Sequence, residues 1–201
     1  MKAFYVTDRA AAPPGRFEEV LEARSGSPDL SVQLREKAIP DGAYLALALR
    51  CGAILGPETP LFVNGRFDVA LAAGAAGVHL PEAGLPLERV RAQTPRGFRV
   101  GASTHSAAGA ARLLEQGADV VFVGPVFETP SKPGLPLGPS ALDDLPPRAG
   151  HSAEVYAIGG ITEGNLDALE AYRDRISGIA AIRLFQESPD PAATARRIAC
   201  R

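Results

Sequence analysis

Eight short apolar runs alternate with eight stretches of helical periodicity, and that alternation leaves few architectures open to this chain. The runs are Ala3–Thr7, Ser31–Arg35, Leu61–Asn64, Gly77–Leu80, Arg99–Ser103, Val120–Gly124, Val155–Ile158 and Gly178–Ile182. Most are almost wholly apolar, the pattern of parallel strands buried on both faces. Between them lie Phe17–Arg24, Ala43–Leu49, Val69–Ala73, Leu87–Gln93, Ala107–Gln116, Ala141–Leu145, Asn165–Tyr172 and Ala192–Ala199, with apolar residues three and four apart. Gly52, Gly74, Gly97 and Gly117 stand where helices are expected to end. The chain therefore reads as α/β, a single-domain (β/α)8 TIM barrel over residues 1–201. An open doubly wound sheet is the other arrangement of the same elements.

Composition narrows the function classes. The chain is 46% hydrophobic, enough for a sizeable core. Its 21 basic and 23 acidic side chains nearly cancel, which argues against nucleic acid or an anionic membrane as partner. No apolar run approaches the roughly 20 residues that span a bilayer. The opening residues read as a strand without the apolar segment of a signal peptide. The two cysteines, Cys51 and Cys200, are far apart and outside metal-ligand spacing. A reduced, cytoplasmic protein is expected. Homo-oligomer formation is left open.

In such a barrel, residues just past the strand ends face the active site. Gln33, Arg35 and Lys37 alternate along strand two and so share one side of it. Two cations and an amide facing inward are costly unless an anion binds there. Asn64-Gly65-Arg66 closes strand three, His79 strand four, and Ser103-Thr104-His105-Ser106 strand five. Strand six leads through Gly124-Pro125 to Thr129, Ser131 and Lys132. The last lie in the proline-rich loop Glu128–Gly138, whose length suits an active-site lid. Gly159-Gly160 follows strand seven and Arg183 follows strand eight. A Gly-Gly turn exposes backbone N–H groups to phosphate oxygens, and the loops after strands seven and eight are the usual phosphate site of this fold. Phosphate or pyrophosphate binding is the expectation.

At these residues the sequence resembles the thiamin phosphate synthase/TenI family over nearly its whole length. The resemblance rests on Val32-Gln33-Leu34-Arg35-Glu36-Lys37, Gly77-Val78-His79-Leu80, Gly101 to Ser106, Gly124 to Lys132 and Ala157 to Thr162, in that order. It implies a (β/α)8 barrel and, for the synthase branch, the joining of a pyrimidine pyrophosphate to a thiazole phosphate. Gln33, Arg35 and Lys37 would then hold pyrophosphate, with Ser103 and Lys132 helping and Asn64 nearby. Thr129, Ser131 and the Gly159-Gly160 backbone would hold the thiazole phosphate. Stabilising the charge on the leaving pyrophosphate, with cations and magnesium, is the main catalytic demand.

The chain departs from the synthase pattern at both magnesium aspartates. Asn-Asp-Arg is here Asn64-Gly65-Arg66, and the second aspartate position is Gly84. Glycine offers magnesium no side-chain oxygen, and Glu82 is the neighbouring carboxylate. Asn-Gly-Arg and His79-Leu80-Pro81 resemble the TenI branch, whose members include thiazole tautomerases working without metal. The tautomerase histidine after strand six is, however, Pro125. His105 and His79 are the candidate replacements as general acid or base, whereas His151 reads as a loop residue. The preferred expectation is a TenI-like thiazole tautomerase or isomerase acting on a thiazole phosphate with no cofactor. The alternatives are thiamin phosphate synthase, with magnesium, and a non-catalytic thiamin phosphate-binding regulator.

Overall fold

The computed structural model describes residues 1–23, 26, 29–36, 39–130, 134 and 136–200. Eight parallel strands close on themselves in chain order: β1 (Lys2–Val6), β2 (Leu30–Leu34), β3 (Leu61–Asn64), β4 (Gly77–Leu80), β5 (Arg99–Thr104), β6 (Val120–Val123), β7 (Glu154–Ile158) and β8 (Gly178–Ala181). Pairing of β1 with β8 through Lys2↔Gly178 completes the ring. The open doubly wound sheet is thereby ruled out. Among the described residues no helix is long and apolar enough to cross a membrane.

The helices are α1 (Arg16–Glu22), α2 (Asp41–Leu55), α3 (Phe67–Ala72), α4 (Leu87–Arg91), α5 (Ala107–Glu115), α6 (Arg183–Gln186) and α7 (Pro191–Ala199). Two expectations need correction. Gly52 does not end α2, which runs on to Leu55 and stops at Gly56, whose φ of 69° suits a glycine cap. The helices expected after strands six and seven are 3-10 turns, Pro139–Leu142 and Glu163–Tyr172. Prolines flank the first, and Gly164 near the start of the second weakens an α-helical nucleus. The helix α6, which begins at Arg183, has no counterpart in the expected elements.

Wholly apolar strands serve two cores. Alternate residues pack outward against the helices, as Tyr5, Val32, Val63 and Val121 do. The others, among them Phe4, Phe62, Phe122 and Tyr156, fill the barrel. Phe4 lies at the hub, with ring centroids of Phe62, Phe122 and Tyr156 at 5.2, 5.0 and 5.3 Å, all edge-to-face. Eight inward faces cannot all carry rings. The register sets Phe62 beside Gly77, His79 beside Gly101 and Tyr156 beside Gly178. A Cβ at Gly77 would stand 2.7 Å from the Phe62 ring, and one at Gly101 would stand 2.7 Å from His79 Nδ1.

Charge closes the N-terminal end of the barrel. Glu154 pairs with Lys2 at 2.5 Å and Arg99 at 3.0 Å, and accepts a 2.8 Å hydrogen bond from the Tyr156 hydroxyl. Burial acts to raise the Glu154 pKa, but the bonds from Lys2 and Tyr156 and the charge of Arg99 outweigh it and hold the carboxyl below its ordinary range.

Gly178→Ala tests the packing rule. Its Cβ would stand 1.9 Å from the Lys2 carbonyl oxygen, so β1 and β8 would have to part. Denaturant unfolding is expected to show a loss of about 3 kcal/mol. Gly42→Ala, with open space around its Cβ, should be neutral or slightly stabilising.

Candidate active site

A pocket of about 510 Å³ opens at the C-terminal ends of the strands. Its inner wall is apolar, formed by Val6, Phe122, Ile158 and Ile182. Its rim is polar. Gln33, Arg35, Asn64, Ser103, His105, Thr129, Gly159, Gly160 and Arg183 all line it. These nine expected site residues, from five strand ends and one long loop, are thus brought together. Lys37, Ser131 and Lys132 lie outside the described residues.

The β2 end is held by its neighbours. The Tyr44 hydroxyl of α2 donates to the Leu34 carbonyl at 2.8 Å, and the Arg35 N–H donates to Thr7 Oγ1 at 2.9 Å. Gln33 is only 2% exposed, and its Nε2 has no partner among the described residues. Arg35 makes no ion pair with them. A buried amide donor and a guanidinium outside any ion pair with the described residues form an arrangement that an anionic ligand would complete. The neighbouring arginine behaves differently. Arg66 is tied to Asp41 and Asp68 outside the pocket.

Across the mouth, the β7 turn is built from backbone. Gly159 and Gly160 have φ of 97° and 65°, a region that glycine enters without strain. A Cβ at Gly160 would fall 2.3 Å from the Glu128 carbonyl oxygen, so the turn packs directly on the loop that carries Thr129. Neither glycine N–H donates to a described residue. Thr162 and Asn165 lock the turn: Asn165 Oδ1 accepts from the Thr162 N–H, and Asn165 Nδ2 donates to the Gly160 carbonyl, both at 2.9 Å. The Thr-x-x-Asn spacing is the sequence signal for this box. Arg183 stands beside the turn, partly engaged by Glu187 at 3.4 Å.

The two candidate histidines are placed differently from the expectation that both reach the mouth. His79 is fully buried in the barrel and is not a pocket-lining residue. Its ring lies 3.9 Å from the Phe122 ring, its Nε2 is 2.9 Å from Ser103 Oγ, and burial pushes its pKa down to about 3. It reaches the pocket only through Ser103. His105 does line the pocket, yet both ring nitrogens are engaged: Nδ1 meets the Gly124 carbonyl, and Nε2 lies 3.2 Å from Glu82 Oε2. Glu82 also accepts from the His105 N–H at 3.1 Å and Thr104 Oγ1 at 3.4 Å. Its carboxylate joins the loops after β4 and β5. His151 is at the opposite end of the barrel, in a shallow cavity with Lys2, Arg148 and Glu154.

Magnesium seeks six oxygen ligands in near-octahedral array. Gly65 and Gly84 bring no side-chain oxygen, Glu82 is committed to His105 and Thr104, and no group of three His, Cys, Asp or Glu among the described residues is arranged to hold a metal. The donor set does not fit a protein-held magnesium site at this rim.

Burial of neutral His79 has a measurable sign. Its folded pKa lies below the value of about 6.5 of an unfolded histidine. Its contribution to stability is therefore complete above pH about 6.5 and is lost as pH falls toward 3. Its ring resonances should stay fixed from pH 8 to about 5 in NMR titration. A midpoint near 6.5 would mean the ring is solvated.

Residues 3–185 match the family model described as thiamine monophosphate synthase. A putative thiamine-phosphate synthase of Geobacter sulfurreducens is 38% identical over 202 residues, covering 97% of this chain and 91% of that protein. The thiamine-phosphate synthase of Gloeobacter violaceus is 42% identical over 166 residues, covering 81% of this chain but 47% of that protein, so the chain spans about half of it. The solved thiamine phosphate pyrophosphorylase from Pyrococcus furiosus superposes with a TM-score of 0.82 at 27% identity, covering 99% of this chain and 94% of that one. Similarity of this extent, running from β1 through α6, means that the chain belongs to the thiamine monophosphate synthase/TenI family.

Proposed function

We propose that this chain joins a pyrimidine pyrophosphate to a thiazole phosphate, forming thiamin phosphate and releasing pyrophosphate. The observation that carries the proposal is the presence of two anion-binding ends in one pocket. Gln33 and Arg35 stand at β2, while Thr129 and the Gly159-Gly160 turn follow β6 and β7 on the far side of the ring. Two phosphorylated substrates need two such ends, whereas a single thiazole phosphate needs one. The apolar wall between them suits two flat heterocycles. The names of the relatives support the same reading.

The chemistry demands little proton transfer. The carbon–oxygen bond to pyrophosphate breaks, both electrons leave with the oxygen, and the thiazole nitrogen supplies the pair for the new bond to carbon. Charge gathers on the departing oxygens. Arg35 and the Gln33 amide are positioned to meet it, and they act without having to be reorganised. The glycine N–H groups, Thr129 and Arg183 keep the other substrate in place.

The TenI-like tautomerase preferred on sequence needs a group that passes a proton at the thiazole ring. Pro125 has no such group, His79 is sealed in the barrel, and both nitrogens of His105 are engaged. Those placements favour the synthase over the tautomerase. A second reading, a non-catalytic thiamin phosphate binder, is favoured by one observation: Gly65 and Gly84 supply no metal carboxylate.

The full chain with both substrates is expected to form thiamin phosphate and pyrophosphate in equal amounts. Arg35→Gln should lower kcat/KM by roughly 10²-fold, the scale of losing one charge-stabilising donor. Tight calorimetric binding of thiamin phosphate without turnover would establish the binder instead. Isomerisation of the non-aromatic thiazole carboxylate phosphate, followed by NMR, would restore the tautomerase.

A further inference from the structure

Gly65 and Gly84 belong to different loops but face one object. A Cβ at Gly65 would have Pro81 Cδ as its neighbour at 3.8 Å. A Cβ at Gly84 would meet Pro81 Cδ at 3.0 Å, Cγ at 3.1 Å and the Pro81 carbonyl oxygen at 2.8 Å. The Gly84 N–H donates to that same carbonyl at 2.8 Å, which draws residues 81–84 into a tight turn. Side chains at 65 and 84 would therefore converge on the pyrrolidine ring. That ring has no oxygen to give a cation, and it lines the pocket. The nearest carboxylate, Glu82, is turned to His105 and Thr104.

The β2 groups that line the same pocket stand ready without a metal. Gln33 is 2% exposed and its Nε2 is unpartnered among the described residues, while Arg35 lines the same pocket outside any ion pair with them. We propose that Pro81 fills the space on which metal-binding side chains at 65 and 84 would converge, so that this pocket takes pyrophosphate as the bare anion, with Arg35 and Gln33 in place of a cation. The inference rests on the reading of the β2 end as a pyrophosphate site. It predicts an inverted role for magnesium. In a metal-dependent site magnesium tightens pyrophosphate binding. Here magnesium complexes the free ligand in solution and so weakens it.

Calorimetry of the full chain with inorganic pyrophosphate, in EDTA and then in excess magnesium, separates the cases. Binding in EDTA that is weakened by excess magnesium is expected. Arg35→Gln should weaken the EDTA binding by about tenfold or more, as loss of a hydrogen bond to a charged group does. Binding tightened about tenfold or more by magnesium would overturn the inference while leaving the pyrophosphate end of the proposed function intact. No binding in either buffer would overturn both. One variant tests Pro81 itself. G65D/G84D, with the ring retained, should gain no tightening by magnesium. Tightening there would remove Pro81 from the account.

Discussion

The packing of aromatic rings against glycine inside the barrel is the constraint on which the rest depends. Phe4 cannot sit within edge-to-face distance of three other rings unless neighbouring strands give way, and the register makes Gly77, Gly101 and Gly178 the places where they do. Once these pairs are set, alternation along each strand decides what stands above them. On β2 that is Gln33, and on β3 it is Asn64. A slip of one residue would send Gln33 into the helix layer and bring Leu34 to the pocket. The polar rim is thus a consequence of how the rings below it fit.

Much of this was legible in the sequence. The strands at Leu61–Asn64 and Gly77–Leu80 lie where their apolar content placed them, and the others differ by a residue or two at their ends. Polar residues at strand ends were legible because they interrupt apolar runs: Gln33, Asn64, Ser103 and the Gly159-Gly160 turn all reach the pocket. What was hidden has physical reasons. A run such as VVFV has no polar face, so nothing in it says that Phe122 looks inward and Val121 outward. Glycine is both a helix end and a tolerated helix residue, so Gly52 misled where Gly56 did the work.

The histidines teach a related lesson. Sequence spacing put His79 at a strand end, but whether an end projects into solvent depends on the ring it meets. Phe122 and Gly101 make a slot that keeps the imidazole dry. His105 is at the rim, yet its partners come from residues 19 and 23 positions away, Gly124 and Glu82. Contacts of that range are invisible to local pattern. Two residues read as proton carriers thus become ties, His79 between two strands and His105 between loops.

The sealed base of the barrel has its own effect on how ligands come and go. Lys2, Glu154, Arg99 and Tyr156 close the N-terminal end, and the ring cluster around Phe4 fills the space above. The pocket is a blind well with one opening. Any ligand must therefore enter and leave by the same rim, past the loops that follow the strands.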